Sequence, residues 1–386
     1  IDNVYFNSMA SKLKVLQVIP RLGYGGAETG CYDLAHYLYE QKCKSYIVTS
    51  GGELLEYIDK KKVKLIKLPV HTKNPILIII NSIILAVLIL FLNISIVHAR
   101  SRAPAWSCYI ATKLTARKFV TTFHGTYNFK SSIKKFYNSF MLKADHVIAV
   151  SEFVKNYIFE NYKNIDQKKV SIIHRGVDHE VFDPEKISIQ RTIELAKDWG
   201  VDEDKDVILF PARITSWKGH EFLINALKRV EKDYICIFIG SAHGHESYAE
   251  KIKQKIIDDG LAGKIKFLDN QKDMPLAYSV SNIVISASIK PEAFGRVAIE
   301  AQAMKKIIIA TNIGGSLETI IDNKTGFLVG YKDENDLATK ISQTLEMKQL
   351  QRDSIISAAR INIVENFTNE KMFSSTIEVY NKLINN

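Results

Sequence analysis

Cysteine is scarce in this chain, and none of the patterns by which cysteine builds a site is present. Four cysteines are scattered along 386 residues, at positions 31, 43, 108 and 236, with no Cys-x-x-Cys pair and no histidine at metal-ligand spacing. Disulfide frameworks and zinc sites both require closely grouped side chains. The sequence therefore predicts neither, and it favours a reducing, cytoplasmic compartment.

Other familiar patterns are also missing. The chain has no GxxxxGK[ST] loop and no GxGxxG after its first apolar run, which disfavours nucleotide hydrolysis and dinucleotide redox chemistry. The Asp-x-Asp arrangements at 202–206 lie in an acidic turn before a predicted strand, which is typical of a solvated turn rather than a metal site. No apolar signal-peptide core opens the chain, and "NVYFNSM" resembles a cleavage scar, so we exclude residues 1–8 from the fold prediction.

Negative charge is sparse in the first half of the chain. Residues 1–184 carry 25 Lys and Arg against 14 Asp and Glu, whereas residues 185–386 carry 27 against 28. The whole excess of positive charge therefore lies in the first half. Such a half attracts phosphate-rich partners, whether nucleic acid, anionic lipid headgroups or phosphorylated saccharides. A generally lysine-rich composition is the alternative explanation.

Short apolar, β-rich runs alternate with helical segments along the chain. The runs begin at residues 14, 44, 63, 94, 118, 146 and 169 in the first half and at 206, 234, 264, 282 and 306 in the second. This alternation predicts parallel sheets with helices on both faces. The length fits two cores. We therefore expect an α/β protein with two doubly wound, Rossmann-like domains, at 9–184 and 185–368, with the boundary in the polar segment 183–206. A final helix at about 369–384 is expected to pack back on the first domain.

One apolar run complicates this prediction. Residues 76–97 contain no charge and are long enough for a transmembrane helix. Asn81, Ser82 and Asn93 interrupt the run, and its end is needed as a strand. We predict a helix at about 76–92 followed by that strand. True membrane insertion, or a helix with one face on lipid or a partner, are the alternatives.

The stretch "KPEAFGRVAIEAQA" (290–303) places Glu292 and Glu300 around a short turn. A helix beginning near Gly295 would present its first backbone N–H groups to an anion. Glu292 would lie beside the outer substituent of that anion, and Glu300, one turn in, could accept hydrogen bonds from a diol such as ribose. The alternative is that Glu292 caps the helix and Glu300 is merely exposed.

Together with "PARITSWKGHEFLINAL" (211–227) and "NIGGSLETIIDNKTGFLV" (312–329), this stretch resembles a large family of retaining glycosyltransferases with the GT-B fold. The family is related to glycogen synthases and includes bacterial mannosyl- and glucosyltransferases of the family 4 type, which build lipopolysaccharide and capsule. "GGAE" (25–28), "SEFVKNYI" (151–158) and "HRGVDHEVF" (174–182) occur in the family's usual order, so the resemblance covers nearly the whole chain.

The resemblance implies roles for the second domain. Arg213 and Lys218 match a pair of fixed cations that grip the donor diphosphate without a metal. Glu292 matches the carboxylate beside the transferred sugar, and Glu300 the one on the ribose. The amides of the connecting loop would approach sugar and phosphate; the loop consists of Phe294, Gly295, Arg296 and Val297.

In the first domain, Gly25 and Gly26 resemble a loop that lies opposite the donor phosphates, although a plain turn explains two glycines almost as well. Glu28 is as well explained as a helix cap as a ligand. His124 matches a histidine that bonds the transferred sugar. An anionic acceptor has three further candidate contacts: His98, Arg100 and Arg102.

The implied activity is transfer of a hexose, with retention, from a UDP- or GDP-sugar to a membrane-associated or envelope saccharide. The second domain would bind the donor and the basic first domain the acceptor across a cleft, with no metal, no other cofactor and no nucleic acid partner. We expect a cytoplasmic protein, peripheral on the inner face of the cell membrane. The alternatives are a cytosolic acceptor, a nucleotide-sugar epimerase or glycan phosphorylase on the same architecture, and a non-catalytic nucleotide-sugar-binding or membrane scaffold.

Overall fold

The computed structural model describes residues 13–127, 131–202, 204–269 and 271–385. Residues 1–8, with the predicted cleavage scar, and residues 9–12 of the predicted first domain lie outside these ranges. The chain divides into two compact units. The first contains the chain up to His174 and again from Met372, and the second is Arg175–Lys371.

The first unit is built on a sheet of seven parallel strands in the order β3-β2-β1-β4-β5-β6-β7. Strand order reverses between β1 and β4, the position at which open α/β sheets bind ligands. The strands are β1 Lys14–Ile19, β2 Lys44–Thr49, β3 Val63–Lys67, β4 Ile96–Ala99, β5 Lys118–Phe123, β6 His146–Ala149 and β7 Val170–Ile172. The helices are α1 Gly26–Glu40, α2 Pro75–Phe91, α3 Arg102–Thr115, α4 Ser132–Ser139 and α5 Glu152–Asn161.

The second unit contains six parallel strands in the order β10-β9-β8-β11-β12-β13, with its reversal between β8 and β11. The strands are β8 Asp206–Pro211, β9 Tyr234–Ile239, β10 Ile265–Leu268, β11 Ile283–Ser286, β12 Ile307–Thr311 and β13 Phe327–Val329. The helices are α6 Ile189–Asp198, α7 His220–Leu227, α8 Glu246–Asp258, α9 Met274–Val280, α10 Arg296–Ala303, α11 Ser316–Thr319, α12 Glu334–Leu345 and α13 Gln349–Asn366. The prediction of two doubly wound, parallel α/β sheets is confirmed.

The last helix, α14 Asn369–Asn385, belongs from Met372 onward to the first unit. Its buried residues Phe373, Ile377 and Tyr380 pack in one core cluster with Leu13 and Val15. This is the segment that the sequence predicted to return to the first domain.

The division between the units differs from the predicted boundary. Residues 175–184, which we assigned to the first domain, belong to the second unit. The polar segment 183–206 is no open linker, because it contains α6. Arg191 of this helix pairs with Asp273 at 2.7 Å, and Thr192 bonds Ser279 at 2.8 Å.

The apolar run forms α2 and then β4, as the sequence predicted. Asn74 caps the helix, and its side chain accepts from the N–H of Ile76 at 2.9 Å. Among the helices that the structure describes, none combines the length and the apolar character that a membrane crossing requires.

Candidate active site

Lys218 and Glu292 form an ion pair where the strand order of the second sheet reverses. Lys218 follows β8, and Glu292 follows the neighbouring β11. The carboxyl ends of such strands line the crevice in which open α/β sheets bind ligands. Lys218 Nζ lies 2.8 Å from Glu292 Oε1, with the two side chains 14% and 16% exposed. Ser288 Oγ donates to the same oxygen, which leaves Glu292 Oε2 without a hydrogen-bond partner among the described residues.

Two close main-chain contacts hold the loops that carry this pair. Gly219 has a φ of +84°, and a Cβ added there would lie 1.8 Å from the carbonyl oxygen of Ala287. The N–H of Ile289 donates to the carbonyl of Trp217 at 2.8 Å. The turn after β8 is therefore fixed against the loop after β11, and the position of Lys218 is tied to that of Glu292.

A glycine pair after β12 supports the same loop from the other side. A Cβ on Gly314 would lie 2.5 Å from the carbonyl oxygen of Glu292, and one on Gly315 would lie 2.3 Å from Phe294 Cα. The N–H of Gly315 donates to the Glu292 carbonyl at 2.9 Å. Gly314 and Gly315 entered the sequence prediction only through the family resemblance, although a "GG" pair shortly after a predicted strand indicates close main-chain packing.

Helix α10 begins where the sequence predicted. Gly295 is its N-cap with a φ of +83°, and no side chain caps the helix. The alternative that Glu292 is the cap is therefore wrong. The Ala298 N–H donates to the Gly295 carbonyl at 3.1 Å, and the helix dipole favours an anion at this end of the helix. The Phe294 side chain is buried beside the Phe367 ring, with ring centroids 5.9 Å apart, and contributes packing.

Glu300 is held in place by two donors. Tyr278 donates from its hydroxyl to Glu300 Oε2 at 2.9 Å, and Arg296 lies 2.9 Å from Oε1. Burial, followed by the charge of Glu300, raises the pKa of Tyr278 well above its usual range, so the hydroxyl remains a donor. Glu300 is 8% exposed, so the alternative that it is merely exposed is wrong. Sequence reasoning missed Tyr278, which lies on α9, 22 residues from its partner.

Arg213 and His220 flank Lys218 in sequence and differ in environment. Arg213 is exposed after β8, and its side chain has no hydrogen-bond or ion-pair partner in the part of the chain that the structure describes. His220 is fully buried at the start of α7, with its ring edge-on to that of Phe210 at 4.9 Å. Burial lowers the pKa of His220 to about 4, so the ring is neutral beside the cationic Lys218.

The first sheet also collects predicted site residues at its carboxyl edge. Gly25 is the N-cap of α1, which follows β1, and Gly26 is the first residue of that helix. A Cβ on Gly25 would lie 2.3 Å from Glu28 Oε2. His124 directly follows β5 and is half-buried. Because β1 and β5 both pair with β4, these residues share one edge of the sheet.

The prediction that His98 contacts an acceptor is wrong. His98 is fully buried, and its ring nitrogens bond the Tyr380 hydroxyl at 2.5 Å and Thr122 Oγ1 at 2.7 Å. Burial and the nearby Arg100 charge keep the pKa of His98 well below its usual range. The guanidinium of Arg102 lies 4.7 Å from the centre of the Tyr127 ring.

The described residues contain no group of three or more His, Cys, Asp or Glu that could hold a metal ion. Asp202 of the acidic turn lies 3.4 Å from Lys205, and residue 203 of that turn is outside the described ranges. All four cysteines are buried and unbridged.

Comparisons with known proteins agree with this architecture. The model of Glycosyltransferase Family 4 matches residues 24–181, and that of Glycosyl transferases group 1 matches residues 192–361. A crystal structure of a glycosyltransferase from Rickettsia africae is 42% identical, with a TM-score of 0.91 over 97% of this chain and 99% of that one. This chain therefore belongs to the group 1 glycosyltransferases and has the GT-B fold.

Two further relatives are more distant. The D-inositol 3-phosphate glycosyltransferase of Mycobacteroides abscessus is 31% identical over 48% of this chain and 41% of its own length. The chain spans less than two thirds of the length of the first curated relatives that it matches. Anabaena HepE, solved in complex with UDP-glucose, is 21% identical and shares the fold, with a TM-score of 0.83 over 96% of this chain and all of that one.

Proposed function

We propose that this glycosyltransferase moves a hexose from a UDP- or GDP-sugar, with retention of configuration, to a membrane-associated or envelope saccharide such as a lipopolysaccharide precursor. The observation that carries the proposal is the Lys218–Glu292 pair at the carboxyl ends of β8 and β11, before the N-terminus of α10. It supplies a fixed cation and a fixed carboxylate where a nucleotide sugar needs both. The UDP-glucose bound by the HepE relative supports a donor of this class.

The groups that bind the donor diphosphate are Lys218, Arg213 and the first amides of α10. A lysine ammonium has three donor protons, so Lys218 can bond a phosphate oxygen while it retains Glu292. Arg213, exposed on the same loop, adds a second cation, and the helix N-terminus favours the same negative charge. Because these groups neutralise the leaving diphosphate, we expect activity without a metal ion. Full activity after treatment with EDTA is the expected result.

The two carboxylates bind the sugar end and the ribose end of the donor. Glu292 Oε2 accepts from a hydroxyl of the transferred sugar, and Glu300 accepts from the ribose. In the transfer step the acceptor oxygen bonds the anomeric carbon on the face from which the diphosphate departs. The bond between that carbon and the diphosphate oxygen breaks, and the acceptor proton passes to the departing phosphate. His124 donates a hydrogen bond to the sugar, and no covalent enzyme intermediate is required.

The acceptor side is assigned to the first unit. Its share of the chain carries the whole excess of positive charge, which suits an anionic saccharide at a membrane surface. Gly25 and Gly26 lie at the carboxyl edge of its sheet, and we assign them the close approach to the donor phosphates that the resemblance implies. We therefore place the enzyme in the cytoplasm, peripheral on the inner face of the cell membrane.

The decisive experiment measures thermal stabilisation of the protein by UDP-, GDP-, ADP- and CMP-sugars without metal, repeated with Lys218→Ala and Glu300→Ala. A ligand that binds only the native state raises its melting temperature. We expect a shift with one nucleotide family that both variants lose. No shift with any donor would overturn the proposal and favour a non-catalytic scaffold. Nuclear magnetic resonance of the product's anomeric proton then tests retention.

A further inference from the structure

The outward face of α2 is apolar along its whole length. Every exposed side chain of this helix is apolar, and six are more than half exposed: Ile76, Ile79, Ile83, Val87, Leu90 and Phe91. Phe91 is 84% exposed. Isolated apolar residues are normal on a protein surface, but a contiguous patch marks a surface that meets lipid or another molecule.

The polar residues of α2 point inward. Asn81 and Ser82 are buried; the Asn81 amide donates to the carbonyl of Pro69 at 3.0 Å, and Ser82 Oγ donates to that of Ile78 at 2.7 Å. Ser107 on α3 donates to the same Ile78 carbonyl at 3.2 Å. A surface helix of a water-soluble domain has the opposite arrangement, with its polar residues outward. The inner face of α2 therefore packs against its own unit, while the outer face suits an apolar medium.

The sequence around α2 has an extreme charge bias. From Lys60 to Ala144 there are 15 Lys and Arg residues and no Asp or Glu. Lys73 is exposed just before the helix. Just after it, Arg117 donates to the Asn93 side chain at 2.9 Å, and Lys14 Nζ donates to the carbonyl of Leu92 at 3.0 Å. Cations therefore lie at both ends of the apolar face.

We propose that α2 is an in-plane membrane anchor that lies in the headgroup region of an anionic phospholipid bilayer. The helix has 17 residues, fewer than the roughly 20 that a membrane span requires. Its length is about 25 Å. In-plane helices of this kind gain binding energy from two contributions: an apolar face buried at the acyl boundary, and attraction between nearby Lys or Arg side chains and anionic lipid. The exposed face supplies the first contribution, and the acid-free segment supplies the second.

Charge distinguishes a lipid surface from a second copy of the chain. A symmetric dimer through α2 would bring two acid-free, lysine-rich segments together, and like charges repel. An anionic bilayer complements both the apolar face and the cations around it. This inference assigns a surface to the peripheral location proposed above and rests on that proposal for the choice of membrane, but the surface is one that the donor site does not use.

The test is flotation of the full chain with two kinds of vesicle. One contains equal parts of phosphatidylglycerol and phosphatidylcholine, and the other contains phosphatidylcholine alone. The test variant is Ile79→Ser/Ile83→Ser/Val87→Ser. The control variant, Ile189→Ser/Leu350→Ser/Ile361→Ser, removes three apolar residues of the second unit that are each more than half exposed, as the test residues are. Circular dichroism and the melting temperature check that both variants fold.

We expect the wild type and the control to float with the anionic vesicles and much less with the neutral ones. The partition coefficient of the test variant should fall by at least about tenfold, while its thermal shift with donor is unchanged. Wild type that stays unbound, or a test variant that binds equally well, would overturn the inference. So would a wild-type dimer that the test variant converts to a monomer in light scattering, because the face would then belong to a second copy.

Discussion

The two sheets share one topological principle but carry different chemistry at their carboxyl edges. In the second unit the edge carries two ion pairs, Lys218–Glu292 and Arg296–Glu300. In the first unit the same edge carries glycines, the half-buried His124 and the buried Arg100, and its ion pair, Arg21–Glu53, is 69% and 45% exposed. The parallel sheet supplies the position in both units. The loops that follow the strands decide whether an ion pair at that position is sheltered or open to solvent.

The supports of these loops differ in the same way. Gly219, Gly314 and Gly315 are packed against main-chain atoms. Gly25 faces the end of a flexible Glu28 side chain. The charged edge is therefore rigidly backed, as preorganised stabilisation of a leaving group requires. In the first unit Gly52 also packs against main chain, 2.3 Å from the Leu22 carbonyl oxygen for an added Cβ, but the turn at Gly25 can adjust.

Loss of the ammonium at the charged edge should have the largest effect. Lys218→Ala removes the proposed contact to the diphosphate and leaves Glu292 with Ser288 as its remaining donor. We expect kcat/KM to fall by roughly 10²–10³, about 2.7–4 kcal/mol of transition-state stabilisation. Lys251→Ala, which breaks the exposed pair with Glu221, serves as the control and should change kcat/KM little. An unchanged kcat/KM in Lys218→Ala would remove Lys218 from the site.

A buried neutral histidine beside that edge makes the second unit sensitive to acid. An unfolded histidine binds a proton near pH 6.5, whereas His220 has a pKa of about 4 in the fold. Between these values the unfolded state binds more protons, so the free energy of unfolding falls as the pH drops below about 6.5. The loss reaches about 2 kcal/mol at pH 5 and about 3 kcal/mol near pH 4.

His220→Phe tests this link, because aromatic rings already surround the site. Urea unfolding at pH 7 and pH 5 should show a loss on acidification that is about 2 kcal/mol smaller in the variant. Burial also lowers the pKa values of His98 and His146 in the first unit, so a residual acid sensitivity should persist. Equal pH dependence in variant and wild type would contradict the prediction.

The second carboxylate of the charged edge depends on a buried hydroxyl. Tyr278→Phe leaves the ring in place but removes the donor to Glu300 Oε2. If Glu300 binds the ribose, we expect the donor KM to rise about tenfold, roughly 1.4 kcal/mol, with little change in kcat. Tyr234→Phe is the matched control, since that hydroxyl is equally buried and bonds the Leu227 carbonyl at 3.0 Å. The same KM rise in both variants would indicate general destabilisation.

The smallest effect is expected at the glycine edge. Gly25 has a φ of −71°, which alanine adopts readily, and Glu28 can move away from the added methyl group. Gly25→Ala should therefore lower stability by less than about 1 kcal/mol. Gly315→Ala should cost more, about 1–3 kcal/mol, because the Phe294 main chain must move. Equal shifts in the two melting temperatures would contradict the difference that we describe between the edges.

Sequence patterns predicted β1 to β12 and the start of α10, because hydrophobic runs and glycine turns are local signals, but they did not predict β13. The family resemblance, and no local pattern, assigned Lys218 and Glu292 to one donor site. Sequence patterns also did not predict where the boundary between the two units lies. Helix α6 has no fully buried residue, although Leu195 packs against the core of the second unit, and the charged residues around it make its segment resemble a linker. The bond between His98 and Tyr380 joins residues 282 apart. The Tyr278–Glu300 bond depends on the packing of α9 and α10. Tertiary contacts of this kind leave no local signal.

The last helix has a consequence for biosynthesis. The core cluster of the first unit includes Phe373, Ile377 and Tyr380, which the ribosome makes only after the whole second unit. When residues up to 174 have emerged, the cluster around Leu13 and Val15 still lacks the side chains that complete it. The second unit is contiguous in sequence and can close its core earlier. The unit that is translated first therefore completes its core last. Until translation passes Tyr380, the nascent first half exposes apolar surface that the cell must protect.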